Sequence, residues 1–232
     1  MRNIGVIGGV GPFATSLYYH ALVDKVVTET HGHLPEIILY SLPIDTEIEK
    51  AFIEGANDVD TEISRRTTRL LIQAIEMLKR CGIETIAMPC NTLQPLLATI
   101  CAEQQVHNIN LIEETSREVA KREVRCALII GTNETCRSNI YGKALEDKGI
   151  AYKYPEEKDQ EIVAQHISSS LRAPQQESPY LQSFLSCIAR ASYNVDGVVI
   201  ACTDLTGRLL SNHLKIPVID SLQTLVDRSV EY

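Results

Sequence analysis

Short apolar runs alternate with longer amphipathic segments along most of this chain. The runs contain Val, Ile, Leu and Ala at consecutive positions, without the polar residue at every second place that marks a half-exposed strand. Such runs are typical of strands buried on both faces of a parallel sheet. They predict strands at residues 3–7, 36–41, 84–88, 110–112, 126–130, 196–201 and 216–220, with a short extended segment at 152–155.

The segments between these strands carry apolar residues at helical spacing. The clearest is 62–80, where Ile63, Leu70, Ala74 and Leu78 share one face and Gly82 follows the end. The same reading predicts helices at 14–28, 95–103, 114–122, 135–147, 160–171 and 180–191, a helix from Leu205, and a last helix at the C-terminus. Strands that alternate with helices throughout indicate parallel sheets.

The second half of the chain repeats the plan of the first. Residues 5–9 match 128–132, the run into Cys90 matches the run into Cys202, and 110–113 match 217–220. We therefore predict an α/β fold with two pseudo-symmetric lobes, each a mainly parallel sheet flanked by helices. Residues 1–113 form the N-terminal lobe with Cys90 and residues 114–220 the C-terminal lobe with Cys202. Residues 221–232 form a C-terminal helix that either lobe could carry.

Composition narrows the choice of partner. The net charge is −8 and Lys and Arg form no block, so nucleic acid and anionic lipid are poor partners and a small molecule is expected. No apolar stretch approaches the length of about 18 residues that spans a bilayer. The seven cysteines are odd in number and include no closely spaced pair, which indicates reduced thiols and a cytoplasmic location.

Two of the cysteines end predicted strands and are followed at once by small polar residues. The motifs are Cys90-Asn91-Thr92 and Cys202-Thr203-Asp204. In parallel sheets ligands bind outside the carboxyl ends of the strands, where both motifs lie. We therefore expect the two thiols to face each other across one small-molecule site.

The glycine-rich loop before the first helix is a second candidate. Its Gly9-Val10-Gly11-Pro-Phe-Ala sequence fits the loose G-x-G-x-x-A dinucleotide pattern, but the second strand ends without the acidic residue that would hold a ribose. Exposed amides at a helix N-terminus attract any anion, so a carboxylate is the favoured ligand. Arg172, predicted in an irregular stretch between two helices, could hold a carboxylate through its guanidinium fork.

Other chemistry fits the cysteines less well. A free cysteine is most often a small buried hydrophobe, which we expect for the remaining five. A zinc site or a cysteine protease would need suitably placed histidines, and the six histidines include no pair at metal-ligand spacing and none beside a strand end.

Two facing thiols suit the inversion of an amino acid at Cα. One thiolate removes the α-proton from one face, and the opposite thiol returns a proton to the other. Hydrogen-bond donors aimed at the substrate carboxylate must stabilise the carbanion between these steps, and Asn91, Thr92, Thr132 and Thr203 could supply them. This chemistry requires no cofactor and no metal.

At these residues the chain resembles the aspartate/glutamate racemase family, and within it the cofactor-independent aspartate racemase branch. The matching motifs recur in one order over nearly the whole chain: Gly8 to Thr15 with Tyr18-Tyr19, Pro89 to Thr92, Gly131-Thr132 with Thr135 and Tyr141, and Cys202 to Asp204. The resemblance implies a two-lobe fold, a homodimer and a PLP-free mechanism with Cys90 and Cys202 as the acid/base pair. It also implies that Asn91, Thr92, Thr132 and Thr203 bind the α-carboxylate, near amides of the Gly9-Val10 loop.

Three departures from the family pattern concern the substrate. Asp204 stands where the family usually has glutamate, so it would hold the substrate ammonium with a shorter side chain. Leu93-Gln94 replace a frequent Ala-His pair. The loop after the second strand lacks the arginine of aspartate-specific members, whereas Arg172 falls where they carry a lysine.

The sequence thus predicts a PLP-independent amino-acid racemase that acts on aspartate, with glutamate as a second candidate. One alternative keeps the fold and lets a single cysteine attack covalently, in a maleate isomerase-like or decarboxylase-like enzyme for non-amino dicarboxylates. Another is a regulator that binds its ligand without turnover.

Overall fold

The computed structural model describes residues 3–29, 35–45, 48–51, 62–172, 177–205 and 208–232, without the side chains of residues 172, 208 and 209. In chain order the elements are β1 (Ile4–Gly8), α1 (Pro12–Glu29), β2 (Ile37–Ser41), α2 (Glu62–Arg80), β3 (Thr85–Ala87), α3 (Gln94–Glu103), β4 (His107–Asn108), α4 (Leu111–Lys121), β5 (Cys126–Gly131), α5 (Asn133–Arg137), α6 (Ile140–Glu146), β6 (Ala151–Lys153), α7 (Glu157–Arg172), α8 (Leu181–Ala191), β7 (Gly197–Ala201), α9 (Arg208–Ser211), β8 (Val218–Asp220) and α10 (Ser221–Glu231). Among these helices, none has both the length and the apolar content needed to cross a membrane.

The strands form two four-stranded sheets of the same design. Their orders are β2-β1-β3-β4 and β6-β5-β7-β8, and every neighbouring pair is parallel. A helix-containing crossover is needed between parallel strands, which agrees with the alternation of elements. The predicted α/β class with two similar lobes is therefore confirmed.

The central strands explain why apolar runs were so clear in the sequence. All residues of β1, β3 and β7 are buried, and in β5 only Cys126 is partly exposed. A strand covered by helices on both faces has no solvent side, so its sequence does not alternate. The carboxyl ends of β3 and β7 then deliver the two cysteine motifs.

The predicted strand at residues 110–112 is wrong. The fourth strand is β4, and Leu111 already begins α4 because the Asn110 side chain accepts hydrogen bonds from the backbone N–H groups of Ile112 (3.1 Å) and Glu113 (3.2 Å). Asp220 caps α10 in the same way, accepting from Leu222 at 2.9 Å. The internal duplication therefore aligns Asn110 with Asp220, three residues away from the predicted match.

Three predicted helices differ in extent. Residues 135–147 form two helices, α5 and α6, that are separated at Asn139 with a left-handed φ of 51°. Helix α7 continues to Arg172, which is therefore its last residue and does not lie in an irregular stretch. The helix predicted from Leu205 is the single turn of α9, beginning at Arg208.

The C-terminal helix α10 belongs to the core of the first sheet. Its Leu222, Leu225 and Val226 pack in one cluster with Ile4 of β1 and Leu22 of α1. Each fully buried aliphatic side chain contributes about 1.5–3 kcal/mol to folding. The last helix of the chain thus joins the first half to the second.

Helix α4 lies across the predicted boundary between residues 113 and 114. Its Ile112 and Val119 pack with Ala127 and Ile129 of β5. At its buried Glu114 it also forms an ion pair with Arg228 of α10, with an N–O distance of 3.2 Å. The two helices α4 and α10 therefore pack together where the halves of the chain meet.

Candidate active site

Cys90 and Cys202 line one small cavity of about 40 Å³, to which both halves of the chain contribute. We call it the thiol cavity. Its described lining residues are Val10, Gly11, Glu49, Cys90, Asn91, Thr92, Thr132, Ile167, Leu171, Cys202, Thr203 and Asp204. Both cysteines therefore line the same cavity, and that this cavity binds a small molecule stays a prediction.

The sheet topology brings the thiols together. Cys90 lies three residues beyond β3, and Cys202 follows directly after β7. Both residues are buried, with exposures of 8% and 6%. Since β3 and β7 hold equivalent positions in their sheets, the two cysteines follow equivalent strands.

After each cysteine the chain turns so that backbone N–H groups face the sulfur. They belong to the second and third residues along, which are Thr92 and Leu93 for Cys90 and Asp204 and Leu205 for Cys202. These amides lower the pKa of each thiol because they stabilise a thiolate. These N–H groups are fixed donors that would stabilise a thiolate at either cysteine.

Burial outweighs the amides at both sulfurs. It raises the pKa of Cys90 to about 12, with further increases from the negative charges of Asp204 and Glu49. Burial also raises the pKa of Cys202 well above its ordinary value, followed by the charges of Asp204 and Cys90. Because ionising one thiol opposes ionising the other, a single thiolate is the favoured charged state of the cavity.

Asn91 is held by a buried network behind the cavity. The Tyr141 hydroxyl donates to its Oδ1 at 2.5 Å, and its Nδ2 donates to the Ser221 hydroxyl at 3.0 Å. Burial raises the pKa of Tyr141, so this hydroxyl keeps its proton and stays a donor. One N–H of the Asn91 amide then remains for a ligand.

Three threonine hydroxyls form a triangle, and two of these threonines, Thr92 and Thr132, line the cavity. Thr92 lies 3.2 Å from both Thr132 and Thr135, and Thr132 donates to Thr135 at 3.0 Å. Thr132 is also the N-cap of α5 and accepts the Thr135 N–H at 3.1 Å. The protons of these hydroxyls are donated only within the triangle, so they can rotate toward an incoming carboxylate.

Thr203 differs from these threonines because its hydroxyl already has a fixed acceptor. It donates to the Pro89 carbonyl at 2.8 Å and so ties the second cysteine motif to the first. A hydroxyl has one proton, so donation from Thr203 to a substrate would require breaking this bond. Its predicted part in carboxylate binding stays a prediction.

The glycine loop places Val10 and Gly11 at the cavity, whereas Gly9 is outside the described lining. The Gly9 N–H donates to the Thr15 hydroxyl at 3.1 Å, so it is not directed at the cavity. Gly11 has φ of 69°, and a Cβ built on it would lie 2.8 Å from a carboxylate oxygen of Asp204. Only glycine allows that close approach.

Asp204 contributes a carboxylate to the lining of the cavity. Burial, and then the charge of Glu49, raise the pKa of Asp204 to about 7, against the effect of the Ala14 N–H. Its Oδ1 is buried and has no hydrogen-bond partner within the described part of the chain. A buried, unsatisfied carboxylate oxygen beside a cavity fits a cationic ligand group such as an ammonium.

Some predicted and observed site residues differ. The Arg172 side chain lies outside the described residues, although Leu171 before it lines the cavity. Sequence reasoning missed Ile167 and Glu49. Ile167 was inside a predicted helix, and Glu49 lies in the helical segment 48–51, where a single acidic residue gave no signal of a site.

Comparison with known proteins agrees with this architecture. The model of the Asp/Glu/hydantoin racemase family matches residues 7–228. The broad specificity amino-acid racemase RacX of Bacillus subtilis (strain 168) is 26% identical over 240 residues, covering 98% of this chain and 96% of RacX.

Solved structures share the fold over the full length. A candidate Asp/Glu racemase from Yersinia pestis superposes with a TM-score of 0.83 at 24% identity, covering 100% of this chain and 99% of that one. An aspartate racemase homologue from Pyrococcus horikoshii OT3 gives 0.74 at 26% identity, with 100% and 98% covered. The chain therefore belongs to the Asp/Glu/hydantoin racemase family and is a racemase, which makes it an isomerase.

Proposed function

We propose that this protein racemises an amino acid without a cofactor, using Cys90 and Cys202 as its two bases. The observation that carries the proposal is that two buried thiols, one from each half of a duplicated fold, line the same cavity. An arrangement of one base per lobe supports proton transfer on opposite faces of a trapped Cα. The broad specificity racemase RacX is a relative in sequence.

The proton transfer balances without an external reagent. The Cα–H bond breaks and its proton becomes an S–H bond on one cysteine, leaving the electron pair on Cα. The opposite cysteine then gives its S–H proton to the other face of Cα and becomes the thiolate. Each turnover exchanges the protonation states of Cys90 and Cys202, and the reverse reaction restores them.

The substrate itself lowers the barrier to forming the thiolate. Burial holds the pKa values of both thiols high, but an amino acid brings an ammonium group with it. A positive charge beside the sulfurs and beside Asp204 stabilises both negative groups. Asp204 is the proposed partner of the α-ammonium, because its buried Oδ1 has no hydrogen-bond donor among the residues that the structure describes.

The α-carboxylate would bind on the opposite wall. Thr92 and Thr132 have protons that can turn toward it, and Asn91 has a remaining N–H. As the carbanion forms, charge moves onto the carboxylate oxygens, and fixed donors stabilise that charge more than they stabilise the ground state. Asn91 is the most rigid of these because Tyr141 and Ser221 hold both ends of its amide.

Aspartate, with glutamate second, remains the substrate predicted from the family resemblance. Such a substrate would place a second carboxylate in the cavity, and a basic residue would be its natural partner. None of the described residues that line the thiol cavity is basic. The homodimer is likewise a prediction, to be checked by light scattering of the purified protein.

The test is α-proton exchange. Purified protein in D₂O should replace the α-proton of an L-amino acid with deuterium while the optical rotation decays to zero. The variant with both Cys90→Ala and Cys202→Ala should do neither. Saturable binding without exchange by the wild type would indicate a binding protein, and turnover of maleate without amino-acid exchange would indicate an isomerase of non-amino dicarboxylates.

A further inference from the structure

Two carboxylates of the thiol cavity converge on the same glycine. Glu49 Oε1 accepts a hydrogen bond from the Gly11 N–H at 3.3 Å. The two carboxylate oxygens of Asp204 lie 2.8 and 2.9 Å from the position of a Cβ built on Gly11. Both acids line the cavity beside the cysteines, so they share one small space.

The two acids repel each other. The charge of Glu49 raises the pKa of Asp204, and burial followed by the charge of Asp45 raises the pKa of Glu49 against the Gly11 N–H. Arg66 pairs with Asp45 at 2.7 Å, so this basic side chain is bound outside the cavity. The described lining contains two acids and no basic residue to balance them.

An amino acid supplies one ammonium group at Cα, which is enough for one of these acids. Asp204 directly follows Cys202-Thr203 and is the better partner for that group. Glu49 is then left with a negative charge and, among the described residues, with the Gly11 N–H as its hydrogen-bond donor. A substrate carboxylate would add a further negative charge there, whereas a side-chain cation would neutralise Glu49.

The position of Glu49 also suits a longer side chain. Cys90 and Cys202 are buried, while Glu49 is half-buried and therefore lies on the solvent side of the cavity. The cavity of about 40 Å³ has room for little more than the atoms around Cα. A charged group at the end of an aliphatic side chain would extend from these atoms toward Glu49 on the solvent side of the cavity.

We infer that the substrates are amino acids with a cationic side chain, such as lysine, ornithine or arginine, and that Glu49 binds that cation. This inference rests on the proposed racemase function. It assigns Asp204 to the α-ammonium and Glu49 to side-chain selection.

The experiment compares L-lysine with L-norleucine, which has the same four-carbon side chain without the ammonium, and with L-aspartate. Exchange in D₂O is followed by NMR at equal ionic strength. The kcat/KM of the wild type for lysine should exceed that for norleucine by about tenfold or more, as expected for a hydrogen bond to a charged group. The value for aspartate should be lower than both.

Two variants locate the selectivity. Glu49→Gln keeps the shape of the side chain and removes its charge, so the lysine-to-norleucine ratio should fall toward one. Glu113→Gln, on the exposed face of α4, is the matched control and should leave the ratio unchanged.

The results distinguish failure of the cationic-substrate inference from failure of the racemase proposal. Exchange of aspartate or glutamate that is faster than exchange of lysine would overturn the inference and leave the racemase intact. An unchanged ratio in Glu49→Gln would remove Glu49 from substrate selection. If no amino acid exchanges its α-proton, the racemase proposal fails and this inference fails with it. The wild-type comparison decides the matter even if Glu49→Gln does not fold.

Discussion

The two cysteine motifs have the same backbone arrangement but different side chains around the sulfur. In both, the N–H groups two and three residues after the cysteine face the thiol. The second residue, however, is the hydroxyl-bearing Thr92 in one motif and the acidic Asp204 in the other. A duplicated fold thus provides two equivalent positions, and one side chain makes them chemically unequal.

The acidic side chain of the second motif affects how easily the two thiols ionise. Asp204 raises the pKa of both thiols, but the effect ranks second after burial for Cys202 and below an opposing amide for Cys90. The pKa of Cys90 rises to about 12, and that of Cys202 rises well above its ordinary value. Asp204 therefore opposes ionisation of both thiols, so neutralising its charge should make either cysteine easier to ionise.

The hydroxyls divide in the same way. Thr92 belongs to a triangle of hydroxyls that can reorient, whereas Thr203 is fixed on the Pro89 carbonyl. Thr92 is therefore the threonine suited to ligand binding, whereas Thr203 connects the two halves of the chain. The following experiments test this comparison.

The largest effect is expected from single cysteine variants. Cys90→Ala and Cys202→Ala should each lower racemisation by about 10²- to 10⁴-fold, the usual contribution of a positioned acid or base. The remaining thiol can reach the α-proton of one enantiomer only. Slow deuterium exchange without inversion should therefore persist for opposite enantiomers in the two variants, as followed by NMR and chiral chromatography.

Two results would contradict the roles of the cysteines as opposing bases. If both variants exchange the same enantiomer, the two thiols act on one face of Cα. If either keeps near wild-type racemisation, that cysteine is not a base.

A smaller effect is expected from Asp204→Asn, which keeps the shape and removes the charge that distinguishes the motifs. Loss of the partner of the ammonium should raise KM by about tenfold. The pKa of both thiols should fall, so kcat should begin to rise at a lower pH than in the wild type. Measuring kcat and KM from pH 6 to 9.5 checks both effects.

Asp204→Asn should also change the free energy of unfolding, in a direction that the raised pKa of Asp204 determines. The folded-state pKa of Asp204, about 7, is above its ordinary value, so between about pH 4 and 7 the folded state binds more protons than the unfolded state. The contribution of this group to stability is present at low pH and is lost as pH rises through 7. At pH 8, Asp204→Asn should therefore raise the free energy of unfolding by on the order of 1 kcal/mol. A lower unfolding temperature at pH 8 would contradict this account.

The smallest effect is expected from a pair of buried tyrosines, one in each half. Tyr141 donates to Asn91 at the site, whereas the Tyr18 hydroxyl lies 2.6 Å from that of Ser229, away from the cavity lining. Replacing either with Phe removes one buried hydrogen bond and should cost about 0.5–1.5 kcal/mol of stability.

Activity should separate the two tyrosine variants. Tyr141→Phe frees the Asn91 amide to rotate, so kcat/KM should fall about threefold to tenfold, while Tyr18→Phe should keep wild-type kinetics. Thermal unfolding together with exchange kinetics checks the pair. Equal activity losses in the two variants would mean that Tyr141 acts only through stability.

Local pattern predicted the regular elements where it was unambiguous. Helix α2 was predicted with its observed bounds because its apolar residues repeat at helical spacing over five turns. The buried strands β1, β5 and β7 were recognisable as apolar runs. At Asn110 the pattern failed, because a Leu-Ile pair fits a strand or a helix and the capping hydrogen bonds of Asn110 decide between them.

The break between α5 and α6 depends on contacts from elsewhere in the chain. Asn139 takes the left-handed conformation that asparagine tolerates better than most residues. Its amide donates to the Tyr152 hydroxyl at 3.1 Å and accepts from Tyr154 at 2.8 Å. Both tyrosines follow α6 in the chain, so no local window contained this information.

The sequence by itself determined the parallel α/β lobes, the two cysteine motifs at strand ends and the duplication that relates them, because these depend on periodicity and on short runs of residue types. Only the tertiary structure decided what surrounds the sulfurs. Glu49 reaches the cavity from the short helical segment 48–51, Tyr141 holds Asn91 from another helix, and Thr203 is bound to Pro89. Charge and hydrogen bonding act through space, so their effect on the thiols depends on which residues the fold brings together.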